Sequence, residues 1–163
     1  MTSTTPKSAG IELYGKHTVI LGGGGTSKTA CAAAEAGGAR KITIISRKGS
    51  VNYKNLHKTC ADAEILINTT PVGMFPNMDA SPLDLTPFKA CEAVLDVIYN
   101  PGETKLTAQA KGLGMKGVTG LTMLVAQAKY ACELFLETTL DDAVIPVITK
   151  EIADQMYGAE EQK

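Results

Sequence analysis

Four consecutive glycines, Gly22–Gly25, stand between a β-branched run and an alanine-rich one, and they restrict what this chain can fold into more than any other stretch. Thr18-Val19-Ile20-Leu21 has the character of a buried strand, and Ser27–Ala36 that of a helix closed by Gly37-Gly38. A strand that turns through glycine into a helix offers backbone N–H groups and a helix N-terminus to whatever lies above the turn, an arrangement suited to phosphate. Gly22 supplies the tight turn, Gly24 leaves room for a pyrophosphate to approach the backbone, and Ser27 occupies the place of a third glycine, small enough for close helix–strand packing. The pattern predicts a dinucleotide site. A glycine-rich turn without a ligand is the alternative it leaves open.

Beyond this turn the chain alternates. Strands are expected at Ile42–Ile45, Ile65–Ile67, Val94–Val97 and Lys116–Val118. Helices are expected near Tyr53–Lys58, Thr104–Gly112, Gly120–Leu136 and Val147–Met156, and a proline-rich loop runs from Pro71 to Pro87. Alternation of this kind predicts an α/β protein with a Rossmann-like, doubly wound parallel sheet. A length of 163 residues suits a single domain. The domain is placed at residues 11–163 with its C-terminal helix included, after a polar start at 1–10 that is expected to fray.

Composition narrows the partners. Hydrophobic residues make up 44% and charged residues 20%, as in a globular chain, and the net charge of −1 argues against nucleic acid or an anionic membrane as partner. Cys31, Cys60, Cys91 and Cys132 lack metal-site spacing and are expected to be reduced, mostly buried, in a cytoplasmic protein with no metal site. No apolar run reaches membrane-spanning length, and Met1–Gly10 lacks the apolar core of a signal peptide. His57 lies in a polar segment and His17 precedes a strand; both are expected at the surface rather than in catalysis.

In doubly wound sheets ligands bind beyond the carboxyl ends of the strands. The segments there are Gly22–Thr26, Ser46–Lys48, Asn68–Met74, Asp96–Pro101 and Thr119–Thr122, all rich in glycine or polar residues. The second strand ends in Ser46-Arg47-Lys48 and not in the Asp or Glu that accepts hydrogen bonds from an NAD ribose. A guanidinium and an ammonium attract the 2′-phosphate that a carboxylate repels, so the turn favours NADP over NAD. A solvated basic turn is the other reading of these residues.

Gly22-Gly23-Gly24-Gly25-Thr26-Ser27-Lys28, Ser46-Arg47, Asn68-Thr69-Thr70-Pro71-Val72-Gly73-Met74, Asp96-Val97-Ile98-Tyr99-Asn100-Pro101 and Gly120-Leu121-Thr122-Met123-Leu124-Val125-Ala126-Gln127 together resemble the cofactor-binding half of shikimate dehydrogenase. The resemblance runs from about Ile11 to the C-terminus. It implies reduction of 3-dehydroshikimate to shikimate with NADPH, in aromatic amino acid biosynthesis. It sets Gly22, Gly23, Gly24, Gly25 and Thr26 at the pyrophosphate, and Ser46, Arg47 and Lys48 at the 2′-phosphate. It sets Thr69, Pro71 and Val72 beside the adenosine and ribose, and Val97, Gly120 and Met123 around the nicotinamide. Tyr99 and Gln127 match positions that reach the substrate. The residues allow these roles, since a phenol and an amide suit a polyol and a thioether suits a flat ring. Tyr99 as a surface turn residue, and Met123 and Gln127 as ordinary helix positions, remain open.

Members of the family carry a substrate domain before this part, with the Lys and Asp thought to handle the proton. Neither has a counterpart here, so no catalytic residue is assigned. The chain is expected to bind NADP(H) and to turn over weakly or not at all by itself, with a substrate domain needed in cis or in trans. The alternative is a non-catalytic NADP-binding module, or a subunit completed by another chain. Shikimate against quinate stays open. The last helix, with Val147, Ile148, Ile152 and Met156, is expected to expose an apolar stripe that favours a homodimer, or else to be mobile.

Overall fold

Short β-branched runs pair side by side in the computed structural model, which describes residues 10–158. Residues 1–9 of the start expected to fray, and residues 159–163 at the end, lie outside the described residues. The strands are β1 (His17–Leu21), β2 (Lys41–Ile45), β3 (Ile65–Asn68), β4 (Ala93–Asp96) and β5 (Lys116–Val118). They form one five-stranded parallel sheet in the order β2-β1-β3-β4-β5. The chain order reverses between β1 and β3, which opens a crevice above their carboxyl ends.

The helices are α1 (Gly25–Ala36), α2 (Leu56–Thr59), α3 (Lys105–Gly112), α4 (Gly120–Leu136) and α5 (Val144–Tyr157). Side chains alternate across the sheet with the two-residue period of a strand. Val19, Leu21, Leu66 and Val94 pack on one face with Leu56, Phe88 and Leu106. Ile20, Ile65, Ile67 and Leu95 pack on the other with Ile11, Leu13 and Ala34. Both faces are covered, as the doubly wound expectation requires.

Several expected boundaries move, each for a local reason. Helix α1 begins at Gly25, before the expected Ser27, because the N–H groups of a first turn need no intrahelical partner. Helix α5 begins at Val144 and includes Pro146, since proline is tolerated within a first turn, so the expected start after Pro146 was too late. Only Leu56–Thr59 is helical in the polar segment. Before it, Asn52 and Asn55 spend their side chains on a turn, with Asn52 N donating to Asn55 Oδ1 at 2.8 Å and Lys54 N to Asn52 Oδ1 at 3.0 Å.

His17 is a correction. It is fully buried, not at the surface. It opens a strand flanked on both sides, and its ring meets polar neighbours there: Nε2 is 2.9 Å from Thr43 Oγ1, and Nδ1 is 3.0 Å from Asp62 Oδ1. Thr43 partners Nε2, and Nδ1 lies beside the Asp62 carboxylate without hydrogen-bond geometry, so the ring is buried against polar neighbours. His57 is exposed, as expected. Cys60 and Cys91 are buried, but Cys31 is half-buried and Cys132 exposed, so the cysteines are not mostly buried.

Candidate functional site

Five chain segments meet above the carboxyl edge of the sheet, and glycines let them approach. Gly22 has φ +114°, which favours glycine, and a Cβ there would stand 2.6 Å from Thr69 Oγ1. Its N–H donates to Ile45 O at 2.8 Å, while Thr69 donates to Leu21 O from N at 2.9 Å and from Oγ1 at 2.6 Å. The ends of β1, β2 and β3 are thereby tied together. A Cβ on Gly23 would lie 3.3 Å from Ser46 Cβ, but one on Gly24 or Gly25 would meet nothing within 4 Å. That space is free beside an α1 N-terminus that has no side-chain cap and no acidic residue in its first turn. Ser27 is buried and donates from Oγ to Gly24 O at 2.6 Å, which fixes the turn from beneath.

Electrostatics at this edge are one-sided. Arg47 and Lys48 are exposed just past β2, and among the described residues no ion pair holds either. Backbone donors at α1 and two cations at β2 together form a receptive surface for phosphates.

The loops after β3 and β4 are held by a buried polar network. Asn68 pairs in register with Asp96, and both are fully buried. Asp96 Oδ1 accepts from Asn68 Nδ2 at 3.0 Å and from Ile98 N at 3.2 Å, and Oδ2 accepts from Thr104 Oγ1 at 2.8 Å. Asn68 Oδ1 in turn accepts from Thr70 N and Oγ1. Burial pushes the Asp96 carboxyl above its ordinary range, against the pull of those hydrogen bonds.

Between these two loops lies an open groove of about 380 Å³. Thr69, Thr70, Pro71, Met74 and Phe75 line it from the β3 side. Val97, Ile98, Tyr99 and Asn100 line it from the β4 side. Helix α4 abuts its floor, because Gly120 donates to Ile98 O at 2.9 Å and any Cβ there would run into the Val97 carbonyl.

Helix α5 returns to the rim of the same groove. Tyr157 donates from its hydroxyl to Tyr99 O, and its ring lies over Gly102, where a Cβ would be 2.5 Å from the ring. The base of α5 is fixed to α4 by Lys129, whose side chain is 5% exposed and whose Nζ lies 2.8 Å from Glu133 and 2.7 Å from Asp142. Burial lowers the Lys129 pKa, but the hydrogen bonds to the two carboxylates outweigh it and leave a net rise.

Of the residues expected at the site, Thr69, Pro71, Val97 and Tyr99 share the groove. Gly22, Gly23, Ser46 and Gly120 adjoin the same edge. Arg47, Lys48, Gly24, Gly25 and Thr26 are exposed at the β1 and β2 ends. Val72 is exposed next to the groove without lining it, Met123 is half-buried against the core cluster of Ile20 and Val118, and Gln127 is exposed on α4. Sequence reasoning did not single out Thr70, Met74, Phe75, Ile98 or Asn100 as lining residues. An apolar pair, Met74-Phe75, just past a strand in a polar loop was the signal available.

Among the described residues no group of three or more His, Cys, Asp or Glu could hold a metal, and no helix is long and apolar enough to cross a membrane.

No protein-family model matches the chain. It is 33% identical over 147 residues to the shikimate dehydrogenase (NADP(+)) of Methanosarcina acetivorans, an alignment that takes in 78% of this chain and 52% of that protein. The fold superimposes on a chorismate mutase/shikimate 5-dehydrogenase fusion protein from Clostridium acetobutylicum with a TM-score of 0.83 at 26% identity, covering 94% of this chain and 59% of the other. It also superimposes on shikimate 5-dehydrogenase from Thermus thermophilus in complex with NADP(H) and shikimate, with a TM-score of 0.71 at 26% identity, covering 90% of this chain and 59% of the other. The chain thus spans about half the length of the curated relatives it matches.

Proposed function

We infer that this chain, which corresponds in sequence and fold to the C-terminal part of the NADP-dependent shikimate dehydrogenases, is the NADP(H)-holding part of such an oxidoreductase. One observation carries the reading. Cβ-free space over Gly24 and Gly25 faces an uncapped helix N-terminus, with Arg47 and Lys48 at the end of β2 held by no ion pair among the described residues. The residues fit the cofactor. Gly22–Gly25 and Thr26 cradle the pyrophosphate with backbone N–H groups, and Ser46, Arg47 and Lys48 hold the 2′-phosphate. Thr69, Pro71 and Val72 lie along the adenosine and ribose, with Val97, Gly120 and Met123 toward the nicotinamide.

The reaction of the whole enzyme is 3-dehydroshikimate + NADPH + H+ to shikimate + NADP+. When bound, the nicotinamide supplies the hydride. This chain's residues orient the cofactor, and Tyr99 and Gln127 offer hydrogen-bonding groups to the polyol. The proton donor for the alcohol oxygen, and most of the substrate pocket, belong to a substrate-holding part outside these residues. The chain alone therefore binds NADP(H) and turns over weakly or not at all.

Calorimetric titration with NADP+, paired with an assay of shikimate-dependent NADPH formation, tests this. Binding with background turnover, raised when a substrate-holding part is added, is the expected result. Absence of NADP+ binding overturns the assignment, and full turnover by the chain alone overturns the division of labour.

A further inference from the structure

We propose that Tyr157 is a positioning residue for Tyr99, so that the last helix sets how the Tyr99 phenol stands in the groove. The use of that phenol on a substrate rests on the function proposed above, but the positioning does not. Three successive carbonyls of the β4 loop are each held by a different element. Ile98 O accepts from Gly120 N at 2.9 Å, at the start of α4. Tyr99 O accepts from the Tyr157 hydroxyl, at the end of α5. Asn100 O accepts from Phe75 N at 3.1 Å, in the β3 loop. Two of these donors are backbone amides, which any residue but proline supplies. The third is a side chain, and it holds the peptide that carries Tyr99 itself.

Tyr99 is 54% exposed, and among the described residues its hydroxyl has no hydrogen-bond partner. Its ring direction therefore follows from its backbone, since φ and ψ decide which rotamers are open. The contact that fixes this backbone is built from both sides. Tyr157 lies about 20 Å along α5 from Val144, so its reach depends on a helix that does not swing. Ile145 and Ile152 pack that helix on α4, and Lys129 Nζ lies 2.7 Å from Asp142 just before it. On the loop side Gly102 leaves room for the Tyr157 ring, because a Cβ there would stand 2.5 Å from it. A ring at 157 and a glycine at 102 thus act as a matched pair.

The chain contains no tryptophan, so Tyr99→Trp supplies a sole fluorescent reporter. Tyr157 bonds the carbonyl of position 99, and the reporter leaves that contact in place. In this background Tyr157→Phe, which keeps the ring and loses the hydroxyl, is expected to raise the acrylamide quenching constant about twofold. Gly102→Ala displaces the ring from the other side, against a flexible side chain and not backbone, and is expected to give a similar rise. The two together are expected to give no more than one alone, because both open a single contact. In a chain carrying Tyr53→Trp instead, packed against the core on the β2 side, neither substitution is expected to change quenching. A cooperative urea transition shows each variant folded. No rise at position 99, additive rises in the double variant, or an equal rise at position 53 overturns the positioning. None of these readings needs a ligand, so a wild-type chain that fails to bind NADP+ overturns the proposed function and leaves the positioning result standing.

Discussion

Gly22 and Gly24 are two residues apart and do different work. At Gly22 the backbone is at φ +114° and a Cβ would crowd Thr69 Oγ1 and Thr70 Cγ2, so Gly22→Ala should lose more than about 1 kcal/mol in urea unfolding. Gly24 has φ −90° and open space, so Gly24→Ala should leave stability within about 0.5 kcal/mol while weakening NADP+ binding. If both variants lose stability alike, the turn is structural and not a phosphate cradle. Asp96 offers a second contrast. Its folded carboxyl is raised by burial, so on a rising pH the unfolded chain gives up its proton first. Stability therefore falls as pH climbs from the ordinary value of 3.8 through the raised one. Asp96→Asn keeps the acceptor for Asn68 Nδ2 and Ile98 N, makes Thr104 Oγ1 accept from the new amide, and should remove that slope at a smaller cost than Asp96→Ala. Asp96→Ala strands Asn68 Nδ2, Ile98 N and Thr104 Oγ1, and should cost roughly 2–4 kcal/mol. Urea melts across pH 3.5–7 would check both.

Among the elements, the glycine turn, the alternation of strands and helices, and the basic end of β2 were legible because each is a local pattern. What escaped depends on neighbours far apart in sequence. His17 looked like a surface residue because nothing nearby in sequence says that Thr43 and Asp62 will meet its ring. The Asn68–Asp96 pair exists only through the β3–β4 register. Tyr157 reaches Tyr99 across 58 positions of chain, and Ile145 and Ile152 seat α5 on α4, while Val147, Ile148 and Met156 of the expected stripe stay exposed. Polar contacts then hold both ends of this helix. Tyr157→Phe, which keeps the ring on Gly102, should speed amide exchange at Ile98–Gly102, and unchanged exchange would remove the latch from the account. Lys129 holds the other end. Its hydrogen bonds keep the Glu133 and Asp142 carboxyls below their ordinary values, so this contribution is present above those values, 4.5 and 3.8, and fades as pH falls through the depressed ones. Lys129→Met should lower the thermal midpoint at neutral pH and flatten the acid limb of the stability profile.

At the scale of the molecule, apolar side chains stay exposed at the end of α4 and early in α5: Phe135 is 83% exposed, Leu136 70%, Val147 65% and Leu134 63%. Patches of this kind mark association. We expect a homodimer for the isolated chain by analytical ultracentrifugation, and a monodisperse monomer at high concentration would remove self-association from the reading. The central claim is narrower, namely that the edge of the sheet is built for a 2′-phosphorylated dinucleotide. It is tested most directly by titrating the wild-type chain and Arg47→Ala with NADP+ and with NAD+ at one fixed salt concentration. The account predicts that NADP+ binds at least about tenfold more tightly than NAD+, and that the preference collapses in Arg47→Ala while NAD+ binding is unchanged. Equal affinity for the two dinucleotides in the wild-type chain, or a preference that survives the substitution, would contradict it.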